Sequence, residues 1–490
     1  MTPLLEARGG AKVCLTLTGG SLEEDLRLLE RYRQRIDCAE LRADFLAPSE
    51  LPALERFPRL AGLPLILTLR RGEEGGRFAA PEKDRRRIML QACAGGYAFA
   101  DLEEDLESPE LEGALRRAGG GVIRSSHDFS GVPEDLASRL RRLARRPGEI
   151  PKAAVMPRTT AELLKLFSAA QELKGERKIL IGMGEMGLPT RILAGPLGSW
   201  LTFCATPERQ AAPGQLAPEE LLELYRFRSI GESTRLFGLI GNPVAGSLSP
   251  RLHNRGLAAL GLDAVYLPFL VDELASFFRL AELLRLQGLS VTIPHKEGVL
   301  PFLAQRNEAV QAIGACNTLL RAQEGWRGEN TDAEGFLSPL GCLRAGSRAV
   351  VLGAGGAARA IVYALRRAGL EVLILNRTAA RAERLAAEFG CRAAGLDSRG
   401  LELLRERADL IVQATSAGME PEVEADPLPE YRFRGGEIVY DIVYKPPLTR
   451  FLKRARRAGC RVIPGLEMLL GQGRAQFKLF TGREYPQIEL

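Results

Sequence analysis

Lysine is scarce in this chain: of 67 basic residues only ten are lysine, against fifty-seven arginines. Where lysine is avoided this strongly, a lysine inside an apolar strand calls for a reason. Histidine is scarcer still, with three residues, so each is informative. The eight cysteines are scattered and form no C-x-x-C pair, which argues against zinc and against a disulfide framework. No metal site is expected. No apolar run is long enough to span a bilayer, so no membrane partner is expected. The stretch Met1–Lys12 lacks the basic-then-apolar pattern of a signal peptide, and a cytoplasmic enzyme is the expectation. There is no basic tail and no interleaving of basic with aromatic residues. The net charge of +6 is spread as groups such as Arg85-Arg86-Arg87 and Arg141-Arg142, which read as solvated helix faces rather than a nucleic-acid surface. Such a charge still helps to attract small anionic substrates.

What is present is an α/β pattern. A chain of 490 residues predicts two or three domains, and 46% hydrophobic residues suit globular ones. The front half repeats one unit. Strand-like runs occupy Lys12–Thr18, Ala39–Asp44, Leu63–Arg70, Tyr97–Glu103, Val122–Asp128, Pro151–Met156, Lys178–Met183 and Ser199–Ala205. Most are short and apolar, as strands covered on both faces should be. Helical patterns lie between them at Leu22–Tyr32, Glu82–Ala94, Pro133–Arg145 and Thr160–Leu173. Pro133-Glu134 and Thr159-Thr160-x-Glu162 look like helix starts. The repeat of roughly 25 residues is close to the average unit of a (β/α)8 barrel. After strand seven comes a short, odd segment rather than a clean helix. The last helix, Pro218–Phe227, would close a barrel spanning 11–228. A linker at Arg228–Arg235 precedes a two-lobed rear half. Its first lobe, 235–337, starts with strand Leu236–Ile240. A Rossmann lobe follows at 338–464, and a C-terminal helix at 465–490 returns to the first lobe.

Chemistry in a (β/α)8 barrel sits at the carboxyl ends of the strands. Those ends offer Glu40 and Arg42, Arg70 with Glu74, Asp101 and Glu103, His127, Lys152, Arg191 and Gln215. Lys152 has apolar neighbours and would point into the barrel. Burial disfavours an ammonium and makes the amine a nucleophile for carbonyl carbon. His127, on the adjacent strand, can remove a proton alpha to the resulting imine. The arginines suit a carboxylate. A plainer reading pairs Lys152 with a barrel carboxylate for structure alone.

The pieces Glu40-Leu41-Arg42, Thr68-x-Arg70, Glu74-Gly75-Gly76, Ser126-His127-Asp128-Phe129, Lys152 to Pro157 and Pro213-Gly214-Gln215 resemble the class I 3-dehydroquinate dehydratases. The resemblance implies a Schiff base on Lys152 and a general base at His127. It implies a supporting polar role for Glu74, and substrate binding by Glu40, Arg42, Arg70, Arg191 and Gln215. Thr16 stands where the family has a binding serine. Two positions depart: Ala211 replaces a usual hydroxyl residue, and Val132-Pro133 replaces a usual Thr-Pro.

In the rear half, Val350-Val351-Leu352 runs into Gly353-Ala354-Gly355-Gly356-Ala357-Ala358, a strand, a G-x-G-x-x-A turn and a helix. This is the context of a dinucleotide site. The next strand, Glu371–Leu375, ends in Asn376-Arg377-Thr378, with an arginine where an NAD enzyme has an acid, so NADP is expected. The preceding lobe holds Ser247-Leu248-Ser249-Pro250, Val291-Thr292-Ile293-Pro294-His295-Lys296, Asn317-Thr318 and Asn330-Thr331-Asp332. A lysine beside an aspartate can move a proton at oxygen as hydride moves at carbon.

Together with Ala414 to Met419, Asp441 to Pro446 and Gly465-Leu466-x-Met468-Leu469 with Gln472, these resemble the shikimate dehydrogenases. The resemblance implies a catalytic pair, Lys296 and Asp332. It implies substrate contacts from Ser247, Ser249, Thr292, Asn317, Tyr444 and Gln472. Cofactor contacts are implied for Gly353 to Ala357, Asn376, Arg377, Thr378, Arg381, Thr415, Ile442 and Gly465. Gly246, Ser290 and Gln413 depart from a usual His, Asn and Asn. The expected whole dehydrates 3-dehydroquinate and then reduces 3-dehydroshikimate to shikimate with NADPH. Two alternatives stand beside it: a quinate-preferring rear half, and a non-catalytic metabolite sensor, which should have lost catalytic groups that this chain keeps. Oligomeric state is not legible in the sequence.

Overall fold

The computed structural model describes residues 10–488 except 342 and 407. The chain divides into two compact units, 1–286 and 287–490. The division falls inside the stretch 235–337 expected to form one lobe.

The first unit is built on eight parallel strands: β1 (Lys12–Leu17), β2 (Cys38–Arg42), β3 (Leu65–Thr68), β4 (Phe99–Glu103), β5 (Gly121–Asp128), β6 (Ile150–Val155), β7 (Ile179–Gly182) and β8 (Leu201–Cys204). From β1 to β7 each pairs with its neighbours in chain order, and β8 pairs with β1. The seam between β7 and β8 is narrower. It is closed by a bridge of Lys178 with Ser199 and by the Ser199 hydroxyl, which accepts from Leu180 N at 3.1 Å. Side chains alternate along a strand. Ile66, Ile123, Ile150, Ile179 and Leu201 therefore fill one layer of an apolar cluster inside the barrel, and Thr68, Ser125 and Lys152 stand in the layer above it.

Helices Leu22–Tyr32, Glu82–Cys93 and Thr160–Glu172 follow the sequence expectation closely. Thr159 caps the last of these by accepting from Glu162 N at 3.2 Å. Two elements differ. The segment after β7 is a helix, Gly184–Ile192, despite Pro189 inside it. The segment expected as a closing α-helix instead takes a wider turn at Glu220–Leu224, with Tyr225 N bonded to Glu220 O at 3.1 Å.

The linker is pinned at several points. Arg228 meets Asp37 at 3.0 Å, and Arg226, in the left-handed region at φ 50°, donates to Leu262 O at 2.8 Å. Beyond it, β9 (Arg235–Gly241) pairs in parallel with β10 (Ala264–Leu270). Helix Leu274–Leu283 lies on barrel helix Thr160–Glu172. Asp272 accepts from the Thr160 N–H at 2.8 Å and from its hydroxyl at 2.5 Å.

In the second unit, β13 (Thr318–Ala322) runs antiparallel between β11 (Gly288–Val291) and β14 (Gly325–Glu329), and β12 (Leu303–Arg306) is parallel to β14. A six-stranded parallel sheet follows: β15 (Arg348–Leu352), β16 (Glu371–Asn376), β17 (Arg392–Gly395), β18 (Leu410–Gln413), β19 (Ile438–Asp441) and β20 (Arg461–Ile463). Its spatial order is β17-β16-β15-β18-β19-β20, the doubly wound order with its switch point beside β15. Helix Gly465–Thr481 packs against helix Asp332–Leu337 and β13, the return expected of the C-terminal segment.

Candidate active sites

The carboxyl ends of β2, β3 and β5 to β8 converge on one pocket. Glu40, Arg42, Arg70, Glu74, His127, Lys152, Arg191 and Gln215 all line it, so the structure brings together eight of the nine barrel residues to which the resemblance assigns a role. The ninth, Thr16, is fully buried on β1 and accepts from Gln215 Nε2 at 2.9 Å.

Lys152 is buried at the pocket floor. Its Nζ donates to Asp101 Oδ2 at 2.7 Å, stands 3.8 Å from Glu40 Oε1, and lies 4.5 Å from the centre of the Phe203 ring. The sequence argument rested on burial alone. The structure adds the carboxylate partner that the plainer reading named, at the same position that burial makes chemically useful. Asp101 also accepts from Arg70 NH2 at 2.8 Å and from Ser125 Oγ at 2.5 Å. Burial works to raise the Asp101 carboxyl, but the charges of Arg70 and Lys152 hold it far below the usual range.

His127 Nδ1 lies 2.9 Å from Glu74 Oε2. Burial, then the nearby charges of Arg70 and Lys152, push the imidazole well below its ordinary value. Neutral at physiological pH, it donates a hydrogen bond from Nδ1–H to the Glu74 carboxylate and carries its lone pair on Nε2. Burial raises Glu74 in turn.

The three pocket arginines differ. Arg42 is neutralised by Asp44, with contacts of 2.9 and 2.8 Å. Arg70 is shared by Asp101 and Glu103, at 2.8 and 2.9 Å. Arg191 has no carboxylate partner among the described residues. Its NH2 donates to Pro213 O at 3.2 Å, its Nε is buried without a partner, and burial brings it down to about 10. A buried cation left uncompensated calls for an anion. At Ala211 the lost hydroxyl is partly offset by the backbone. Ala211 N and Ala212 N both donate to Gln215 Oε1, at 2.8 and 3.1 Å, which turns the Gln215 amide N–H groups toward Thr16 and the pocket.

In the second unit, Lys296 Nζ donates to Asp332 Oδ2 at 2.5 Å. Asn317 Nδ2 donates to Asp332 Oδ1 at 2.9 Å, and Asn330 Oδ1 accepts from Asp332 N at 3.1 Å. Sequence reasoning missed what holds Asn317. Gln476, buried on the C-terminal helix, donates to Asn317 O at 3.0 Å and to Thr318 Oγ1 at 2.9 Å, while Ser290 Oγ donates to Gln476 Oε1 at 2.8 Å. The departure at Ser290 was the available signal: its hydroxyl has a partner one helical turn beyond the Gln472 already singled out. Gln472 itself donates to Leu469 O at 3.1 Å. Thr292 and Tyr444 are half-buried. Ser247 and Ser249 belong to the first unit, where Ser249 N donates to Ser247 Oγ at 3.3 Å ahead of helix Ser249–Ala259. Gly246 beside them has φ 75°, the left-handed region that favours glycine over the usual histidine.

The dinucleotide turn fits its expected guest. Gly353 has φ 112°, and a Cβ there would fall 2.9 Å from Thr415 Cγ2, whereas a Cβ on Gly355 or Gly356 would meet nothing within 4 Å. Helix Gly356–Arg367 thus presents an open N-terminus to a pyrophosphate. Arg377 and Arg381 are exposed and have no ion-pair partner among the described residues, leaving both for a phosphate. Asn376 Nδ2 closes this turn on Thr378 O at 2.9 Å. Gln413, the departure from asparagine, clasps the Thr415 turn by accepting from Thr415 N at 2.6 Å and donating to Ala417 O at 2.9 Å. Ile442 and Gly465 touch closely: a Cβ on Gly465 would fall 2.3 Å from Ile442 O.

Comparison with known proteins finds relatives of both halves of the chain. The type I 3-dehydroquinase family matches residues 13–232. The shikimate dehydrogenase substrate binding domain matches 239–319, shikimate / quinate 5-dehydrogenase 341–432, and the shikimate 5'-dehydrogenase C-terminal domain 465–487. A chloroplastic bifunctional 3-dehydroquinate dehydratase/shikimate dehydrogenase of Arabidopsis thaliana is 33% identical over 92% of this chain and 78% of its own. The chain belongs to the bifunctional 3-dehydroquinate dehydratase/shikimate dehydrogenase family. Its dehydrogenase half is 47% identical to a shikimate dehydrogenase (NADP(+)) of Moorella thermoacetica, over 52% of this chain and 90% of that one. The structure of shikimate 5-dehydrogenase from Listeria monocytogenes, in complex with shikimate and NAD, matches 52% of this chain and 95% of its own at 34% identity, with a TM-score of 0.50. The barrel pocket lies within the residues matched by the type I 3-dehydroquinase family, and Lys296 within those matched by the shikimate dehydrogenase substrate binding domain.

Proposed function

We propose that the chain catalyses two consecutive steps of the shikimate pathway, dehydrating 3-dehydroquinate to 3-dehydroshikimate and reducing that product to shikimate with NADPH. The observation that carries the reading is the barrel pocket. A buried lysine, a neutral histidine oriented by Glu74 and a buried arginine lacking a carboxylate face one cavity.

Arg191 takes the substrate carboxylate, and Gln215, Glu40, Arg42 and Arg70 fix the ring with its hydroxyls. Lys152 adds to the ketone and forms an imine with loss of water. His127 Nε2 removes a proton from the carbon alpha to the imine, and the electrons flow toward the iminium nitrogen. His127 then returns that proton to the departing hydroxyl, and hydrolysis of the imine frees Lys152.

In the dehydrogenase, Thr292, Asn317, Tyr444 and Gln472 of the second unit hold the substrate. NADPH, when bound, supplies hydride to the carbonyl carbon. Gly353 to Ala357, Thr415, Ile442 and Gly465 receive its pyrophosphate and nicotinamide ends, and Asn376, Arg377, Thr378 and Arg381 receive the ribose phosphate. Lys296 delivers the proton to the carbonyl oxygen, and Asp332 aims it.

No helix among the described residues is long and apolar enough to cross a membrane. We place the enzyme in the cytoplasm, with small-molecule substrates as its partners. The test is borohydride reduction with 3-dehydroquinate, followed by peptide mass analysis. A substrate-sized adduct on Lys152 is expected, and its absence overturns the imine mechanism.

A further inference from the structure

We propose that Asp101 is a positioning residue of the dehydratase site, whose carboxylate holds Lys152 Nζ before the reaction and stays as the counter-ion of the same nitrogen in the imine. This rests on the reading that Lys152 forms an imine.

The geometry sets Asp101 apart from the other acids near the lysine. Its side chain is fully buried and uses both oxygens. Oδ2 takes Lys152 at 2.7 Å, and Oδ1 takes Arg70 at 2.8 Å and Ser125 at 2.5 Å. Two donors therefore fix the carboxylate independently of the lysine. Arg70 is itself anchored by Glu103 at 2.9 Å, and Glu103 by Arg85 at 2.7 Å, so the chain of contacts reaches from the pocket floor into the barrel wall. Glu40 stands 3.8 Å from Nζ and already accepts from Thr68 at 2.9 Å. The charged groups about Nζ are thus Asp101 and Glu40 of one sign and Arg70 of the other, with neutral His127 nearby.

Imine formation conserves charge at this nitrogen. A ketone and an ammonium give a protonated imine and one water: the C–O bonds break, C=N forms, two ammonium protons leave on the oxygen and the third stays on nitrogen. A carboxylate that fits the ammonium therefore also fits the iminium, with no reorganisation during the step. Only the protonated imine draws electrons well when His127 removes the alpha proton. Asp101 favours that form. Arg70 and Lys152 keep Asp101 ionised, so it serves as a fixed charge and not as a proton store.

The experiment compares the full-length wild type with Asp101→Asn, in borohydride trapping and in the pH profile of dehydration. If the wild type yields no Lys152 adduct, the imine reading itself fails, and this inference with it. If it does, Asp101→Asn is expected to lower kcat about 100-fold with KM little changed. The alkaline limb of its profile should move to lower pH, because the nitrogen loses its counter-charge. Wild-type kcat in the variant overturns the proposal. So does a lower kcat with an unmoved alkaline limb, which a merely structural role would give. Should Asp101→Asn fail to fold, Ser125→Ala keeps the carboxylate and removes one of its two anchors. A fall in kcat of about fivefold is then expected, and none overturns the proposal.

Discussion

Lys152 meets Asp101 at 2.7 Å and Lys296 meets Asp332 at 2.5 Å, but the two pairs sit in different media. The side chains of the first are 6% and 0% exposed, those of the second 28% and 9%. Asp101 is held by an arginine and a serine inside the barrel, whereas the Asp332 carboxylate accepts from the amide of Asn317 and its backbone N–H donates to Asn330 Oδ1. The difference matches the work. A lysine that must form a carbon–nitrogen bond gains from a dry, fixed setting, in which the pair's electrostatics are strong and water competes little. A lysine that only passes a proton must be recharged, and partial exposure lets water do so.

Removing each lysine is the largest test of this contrast. Lys152→Ala should lower dehydratase kcat at least about 1000-fold, since nothing replaces a covalent nucleophile. Lys296→Ala should lower the dehydrogenase kcat about 100-fold, because water can partly stand in as proton donor. Separate assays, with 3-dehydroquinate for one and 3-dehydroshikimate plus NADPH for the other, read the two losses. Equal losses would erase the distinction drawn from burial.

The next effect lies at the cofactor turn, where Arg377 and Arg381, unlike Arg42 and Arg70 of the barrel, have no acidic partners among the described residues. Arg377→Glu should reduce the preference for NADPH over NADH about 50-fold, read as a ratio of kcat/KM values. An unchanged ratio would leave Arg381 as the phosphate-binding cation.

Strands and most helices of the barrel were legible because they alternate apolar and turn residues at a steady period, and the site because its motifs name the residue types outright. What escaped was relational. Asp101 was visible at the end of β4, but nothing local says that it faces Lys152 across two strands, since that follows from register, with Ser125 beside Lys152 and Glu103 beside Ser125. Gln476 was hidden for a similar reason: one turn beyond Gln472, it reads as an ordinary helical amide until β13 packs under it. The Glu220–Leu224 turn escaped because its apolar spacing is also helical.

Gln476 gives the third test. Gln476→Leu leaves Ser290 Oγ without its partner, whereas Asn317 O still accepts from Val291 N at 2.8 Å and Thr318 Oγ1 still donates to Asn317 Oδ1 at 2.8 Å, so a loss of about 2 kcal/mol is expected in denaturant unfolding of the dehydrogenase transition. Dehydratase kcat should be unaffected. A stability change under about 0.5 kcal/mol would mean that water replaces the amide.

The smallest effect concerns pH, where the two halves carry opposite signs. In the barrel, the folded state holds His127 well below its ordinary value, mainly by burial. The unfolded chain therefore takes up the proton first, and this group's contribution is complete above about pH 6.5 and is lost as pH falls below it. In the dehydrogenase, burial raises the Asp441 carboxyl to about 6, against the hydrogen bonds from Thr449 Oγ1 at 2.6 Å and Val443 N at 3.0 Å. Here the folded state takes up the proton first. Its contribution is full below about pH 4 and is lost as pH rises through the folded value. Asp441→Asn cannot ionise, so it should gain on the wild type by about 1 kcal/mol between pH 5 and pH 7. Calorimetry of the dehydrogenase transition at the two pH values measures that gain. A difference that stays flat would mean that Asp441 is ionised at little cost, and that the segment carrying Ile442 and Tyr444 is held by a charge rather than by a buried, protonatable acid.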